Sequence, residues 1–136
     1  MGKALGIDYG IKRTGIAITD AMQIIASGLT TIATHTLDDF IANITFNENI
    51  DCFVVGDPKN LDGKETDSTG HVNGFVKRLQ KLYPEIPVYQ IDERFTSKIA
   101  RKSILESGIK QKIRKNKALV DEVSATIILQ NYLDYR

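Results

Sequence analysis

The chain has 136 residues, 42% hydrophobic and 26% charged, with a formal net charge of +1. This length suits one domain spanning residues 1–136, and the apolar fraction supports a real core, which excludes a disordered chain. Near-neutrality excludes a uniformly basic or acidic protein, so any surface for nucleic acid must be local and offset elsewhere.

In chain order, short apolar runs broken by turn residues predict strands at Ala4–Asp8, Gly15–Thr19 and roughly Ile24–Ile32. Leu37, Phe40, Ile41 and Ile44 share one side of a helix over Leu37–Asn47. The run "CFVVGDP" at Cys52–Pro58 reads as a fully apolar strand ended by Gly-Asp-Pro, and a polar segment, Lys59–Gly70, follows. Phe75, Val76, Leu79 and Leu82 predict a helix over Phe75–Leu82. A further strand spans Ile86–Asp92. Thr96 caps a helix that ends at Gly108, a basic loop covers Lys110–Lys117, and a last helix spans Ala118–Tyr135. This order predicts an α/β fold: a mixed sheet, its first three strands antiparallel and the rest in βαβα order, flanked by helices on both faces.

Cys52 is the single cysteine and lies in an apolar run, which excludes an internal disulfide and fits a reducing compartment. No apolar run approaches the roughly 20 residues that span a bilayer, and the N-terminus lacks a signal-peptide apolar region. The expectation is a soluble cytoplasmic protein without a membrane partner.

In open α/β sheets, sites form beyond the carboxyl ends of the strands. Three apolar strands end in acids there: Asp8, Asp57, and the pair Asp92-Glu93. Asp121 lies near the start of the last helix, and Ser124, Ala125 and Ile128 share its face, so it is expected to point at the sheet, with Glu122 turned toward solvent. Carboxylates held together repel, and a divalent cation removes that penalty; oxygen-only ligands favour Mg²⁺ or Mn²⁺ over zinc. Two such ions activate a water and stabilise a leaving oxygen in phosphodiester cleavage. Singly, each acid has a plainer reading: a strand-ending Asp is more often a turn residue, Asp92 or Glu93 pairs with Arg94, and Asp121 is a first-turn acid favoured by the helix dipole. The run "KQKIRKNK" alone reads more often as a solvated loop than as a nucleic-acid site. What shifts the balance is the joint placement of the acids, because independent turn acids need not fall on one sheet edge.

The stretches "GIDYGIKRTGIAI", "VVGDPKNLDG", "IDERFTS" and "KNKALVDEVSATIILQNYL" resemble successive motifs of the YqgF family, Holliday-junction-resolvase-like proteins described as pre-16S rRNA nucleases. The resemblance runs from about Lys3 to Leu133. It implies a ribonuclease H-like nuclease domain and a role in ribosome biogenesis, in maturation of the 16S rRNA 5′ end. It implies Asp8, Glu93 and Asp121 as catalytic and metal-binding acids, with Mg²⁺ or Mn²⁺ as cofactor. It matches Arg13 and Arg94 to motif cations. With the neighbouring cations of the first turn and the basic loop added, the nucleic-acid-binding set expected is Lys12, Arg13, Arg94, Lys98, Lys110, Lys112, Arg114, Lys115 and Lys117. Asp57 departs from the family, which usually has an apolar residue there, and "KETDSTGHVNGF" lacks an expected arginine at the start of its helix.

The function expected is a metal-dependent endonuclease on structured RNA, with precursor 16S rRNA as partner. The alternatives are a resolvase acting on branched DNA and a non-catalytic RNA-binding assembly factor. The phosphate loop of actin-like kinases also matches "DYGIKRTG", but those need two such domains. Nothing in the sequence marks a dimer interface, leaving monomer or weak homodimer open.

Overall fold

Apolar alternation and turn chemistry build a sheet whose two faces are packed differently. The computed structural model describes residues 2–57, 69–92 and 117–135. They form β1 (Lys3–Asp8), β2 (Arg13–Thr19), β3 (Ala26–Ala33), α1 (Leu37–Asn47), β4 (Ile50–Asp57), α2 (Thr69–Leu82), β5 (Val88–Asp92) and α3 (Lys117–Tyr135). A 3-10 turn at Thr34–Thr36 leads into α1. The strands lie in the order β3-β2-β1-β4-β5. β1 pairs antiparallel with β2, as does β2 with β3, while β1–β4 and β4–β5 are parallel. β1 is central, and Ala4 to Ile7 are buried in succession because both faces of that strand are covered.

The pleat divides the core in two. Leu5, Ile7, Ile16, Phe53 and Val55 meet Leu37 and Ile41 of α1 and Val72, Phe75 and Leu79 of α2. Ala4, Ala17, Cys52 and Val54 meet Ala125, Ile128 and Leu129 of α3. The α3 side is lined by smaller residues, and the helix comes closer there: Leu129 Cβ lies 2.9 Å from where a Cβ on Gly6 would stand. An ion pair of Arg78 with Asp38, 3.0 Å, ties α2 to α1 on the other side.

Of the expected boundaries that move, those of β3, α2 and β5 have a clear physical reason. β3 starts at Ala26 because the N–H groups of Ile24 and Ile25 both donate to Asp20 Oδ1, at 2.9 Å, and are held in the preceding turn. α2 starts at Thr69, six residues before Phe75 and inside the expected polar segment. Gly70 and Gly74 obscure the pattern, yet Val72, Phe75, Val76 and Leu79 form one buried helical stripe. β5 starts at Val88, since Tyr83–Ile86 closes a turn with an Ile86 N–H to Tyr83 carbonyl bond of 3.0 Å. The helix expected between Thr96 and Gly108, and the basic loop up to Asn116, lie outside the described residues. Lys117 is the first residue of α3.

Candidate metal and nucleic-acid site

Register fixes the sheet edge at which β1, β4 and β5 end. Ile7 pairs with Val55, Gly56 with Ile91, and Asp57 with Asp92, so Asp8 is level with Gly56 and three acids close neighbouring parallel strands. The pleat then separates them. Asp8 alternates with Ile7 and takes the α3 face, whereas Asp57 and Asp92 follow the parity of Val55 and Val88 and take the face covered by α1 and α2. Asp57 and Asp92 thus stand on the opposite side of the sheet from Asp8.

Asp121 reaches the Asp8 face from above. Asp8 is paired with Gly15 across β1 and β2. The backbone carbonyl of Asp121 rests where a Cβ on residue 15 would be, so only glycine admits the helix this close. Thr31, the partner of Gly15 on β3, donates from Oγ1 to the Ala118 carbonyl at 2.6 Å and ties down the start of α3. Glu122, expected toward solvent, lies instead against β3, with Oε1 2.6 Å from a Cβ position on Gly28.

The turn after Asp8 carries Lys12 and Arg13 and is braced from β3. The Thr34 N–H donates to the Lys12 carbonyl at 3.0 Å, and Thr34 Oγ1 donates to the Gly10 carbonyl at 2.6 Å. A hydroxyl has one proton, so the buried Thr14 hydroxyl is the donor in its 2.9 Å bond to Thr34 Oγ1. Tyr9 stacks on Phe75 of α2, with ring centroids 4.9 Å apart. Thr34 has no signature in the sequence, because its partners lie 20 and 24 residues away. Lys12 is exposed. Arg13 is exposed as well but is held by a carboxylate: its Nε donates to Asp121 Oδ2 at 2.8 Å, with side chains 42% and 23% exposed respectively.

Of the site residues expected from the sequence, Asp8, Asp121, Lys12 and Arg13 therefore gather around the β1–β2 turn and the start of α3. Glu93, Arg94, Lys98, Lys110, Lys112, Arg114 and Lys115 lie outside the described residues, and only the backbone of Lys117 is described. Among the described residues, no group of three or more His, Cys, Asp or Glu side chains could hold a metal ion. The donor chemistry nevertheless fits a hard divalent cation. Asp8 and Asp121 supply carboxylate oxygens from one face. One helical turn beyond Asp121, the Ser124 hydroxyl is 1% exposed and has no hydrogen-bond partner among the described residues, an oxygen left over in a buried position.

A mixed sheet in this order, with a strand-end acid and a helix acid on one face, defines an α/β domain of the ribonuclease H-like class. The solved structure of T. thermophilus RuvC in complex with Holliday junction substrate has the same fold, with a TM-score of 0.61 and 14% identity, covering 99% of this chain and 98% of that one. The family profile described as RuvX, Holliday junction resolvase, matches residues 2–135, and the chain belongs to this RuvX (YqgF) family. Among its relatives, a Flavobacterium johnsoniae protein is 52% identical over 98% of this chain and 96% of its own length. A Bacteroides fragilis protein is 51% identical, and a Porphyromonas gingivalis protein 50%, each over 98% of this chain and 97% of its own length. All three carry the name "Putative pre-16S rRNA nuclease". No helix among the described residues is long and apolar enough to cross a membrane.

Proposed function

We propose that this chain is a metal-dependent endonuclease that cleaves structured RNA, acting in the cytoplasm on the 5′ end of precursor 16S rRNA during ribosome biogenesis. The observation that carries this reading is the arrival of Asp8 and Asp121 on one face at one level of the sheet, through the Gly15 contact. Half-identical relatives named as pre-16S rRNA nucleases support the substrate class. Asp8, Asp121 and Glu93 would hold Mg²⁺ or Mn²⁺, and such ions when bound activate water and offset charge on the phosphate and leaving oxygen. The protein's own part is to hold the substrate. Lys12 stands exposed on a braced turn beside Asp8 and meets a backbone phosphate. Arg13, Arg94, Lys98 and the cations from Lys110 to Lys117 extend that contact as sequence-independent phosphate binding.

A second reading, resolution of branched DNA, is favoured by the family's own description. The fold accommodates both chemistries and does not choose between them. The purified protein, incubated with a 16S precursor 5′ end and with a four-way DNA junction, each in Mg²⁺, Mn²⁺ or EDTA, separates the two. Cleavage of the RNA alone, and only with metal, is the expected result. Cleavage of the junction alone transfers the proposal to DNA, and binding without cleavage under any metal makes the protein an assembly factor.

A further inference from the structure

Arg13 is the residue whose position the phosphate-binding role leaves unexplained. A cation serving substrate alone needs no carboxylate partner within its own chain. Yet Arg13 Nε is bonded to Asp121 Oδ2 at 2.8 Å. Among the described residues it is the hydrogen-bond partner of that carboxylate, and Asp121 is Arg13's own. A metal ion bound by Asp121 must take over, or share, the charge that Arg13 now neutralises. A phosphate gripped by the fork through Nε and one terminal nitrogen would likewise draw the guanidinium from Asp121, because Nε is the donor that Asp121 holds.

We infer that Arg13 couples metal binding to substrate binding by exchanging partners: it closes on Asp121 when metal is absent and passes to a substrate phosphate when metal arrives. The inference rests on the nuclease reading above. In this exchange each ligand alone breaks the ion pair, whereas the second to bind finds it already broken. Metal and nucleic acid therefore bind with positive cooperativity, equal in both directions. Partly exposed ion pairs contribute modestly, so the coupling is up to about fivefold.

The test is a double-mutant cycle on the full chain: parent, Arg13→Gln, Asp121→Asn and the double variant, with thermal melting to show that each folds. Mn²⁺ affinity is read by electron paramagnetic resonance without nucleic acid, and affinity for a short single-stranded RNA is read in EDTA. Arg13→Gln should bind Mn²⁺ up to about fivefold more tightly than the parent, with the gain absent in the Asp121→Asn background. Asp121→Asn should bind RNA in EDTA more tightly by a similar factor, with that gain absent when Arg13 is also Gln. Should Arg13→Gln not fold, Arg13→Lys, which keeps the charge and loses the fork, should give the same signs with smaller size. Weaker or unchanged Mn²⁺ affinity in Arg13→Gln would make the pair a structural pin and overturn the inference. A gain that persists with Asp121→Asn would show a diffuse field effect and also overturn it. Failure of the parent to bind any Mn²⁺ removes the metal reading itself and this coupling with it.

Discussion

The Asp121 carbonyl of α3 occupies the place a side chain on Gly15 would need. That contact joins the helix acid to the strand paired with Asp8, so the site's geometry hangs on the lack of one methyl group. Gly15→Ala should destabilise the protein by about 1–3 kcal/mol, the usual cost of overpacking, and displace α3. Gly28→Ala meets the Glu122 side chain, from Cγ to Oε1, rather than backbone and should cost less. Gly74→Ala, in α2 with nothing within 4 Å, should stabilise by about 0.5–1 kcal/mol. Denaturant midpoints of the three variants check this, and a Gly15 variant no less stable than the Gly28 one would contradict it.

Asp20 governs the turn ahead of β3, and its effect depends on pH. Its carboxylate accepts N–H bonds from Met22 at 3.0 Å and from Ile24 and Ile25 at 2.9 Å. Those bonds, Ile25 first and Ile24 next, hold its pKa below the ordinary 3.8. A folded-state pKa below the unfolded value means a contribution that is complete above 3.8 and fades as pH falls through the folded value. Asp20→Ala should therefore melt lower than the parent at pH 7, and the gap should narrow at pH values below 3.8. A gap that stays constant would mean the carboxylate's charge does not hold the turn.

How much of this the sequence shows depends on how local the cause is. Asp8 and Asp121 are legible because an acid ending an apolar strand and an acid on an apolar helix face are both local signals. The face they share is legible only through helical spacing and strand alternation. Those rules place Asp121 inward correctly and also separate Asp57 and Asp92 from Asp8, once register is known. Turn bonds hide the start of β3, since nothing near Ile24 marks its N–H as captured by Asp20. Thr34 and the Arg13–Asp121 pair stay hidden because their partners are distant in sequence; the latter spans 108 residues. Glycines mislead in α2, where they face open space, and inform at Gly15, where a helix touches the strand.

Asp8→Asn separates enzyme from binding module. The change keeps size and hydrogen-bonding capacity but removes one negative charge beside Asp121. Metal binding and RNA cleavage should fall steeply, while the melting temperature in EDTA should stay close to the parent's, because the amide keeps the side chain's size and hydrogen-bonding capacity. RNA affinity without metal should hold or rise slightly. Parental cleavage rates would remove Asp8 from catalysis, and an unfolded variant would make it a structural turn acid.

The basic segment gives a prediction in salt. Replacing Lys110, Lys112, Arg114, Lys115 and Lys117 together with Ser should weaken RNA binding and flatten its dependence on salt, since each neutralised phosphate on a single strand contributes about −0.7 to the log–log slope. Affinities measured across a salt series check this. An unchanged slope would mean these cations are merely solvated.

The most direct measurement is a crystal structure with Mn²⁺ located by its anomalous scattering. Ion density is expected on the α3 face at the level of Gly15, bound by Asp8 and Asp121 together with Glu93, and with Arg13 withdrawn from Asp121. Asp8 and Asp121 carboxylates more than about 10 Å apart, too far to share ions spaced as in two-metal sites, or Mn²⁺ bound only elsewhere, would contradict it.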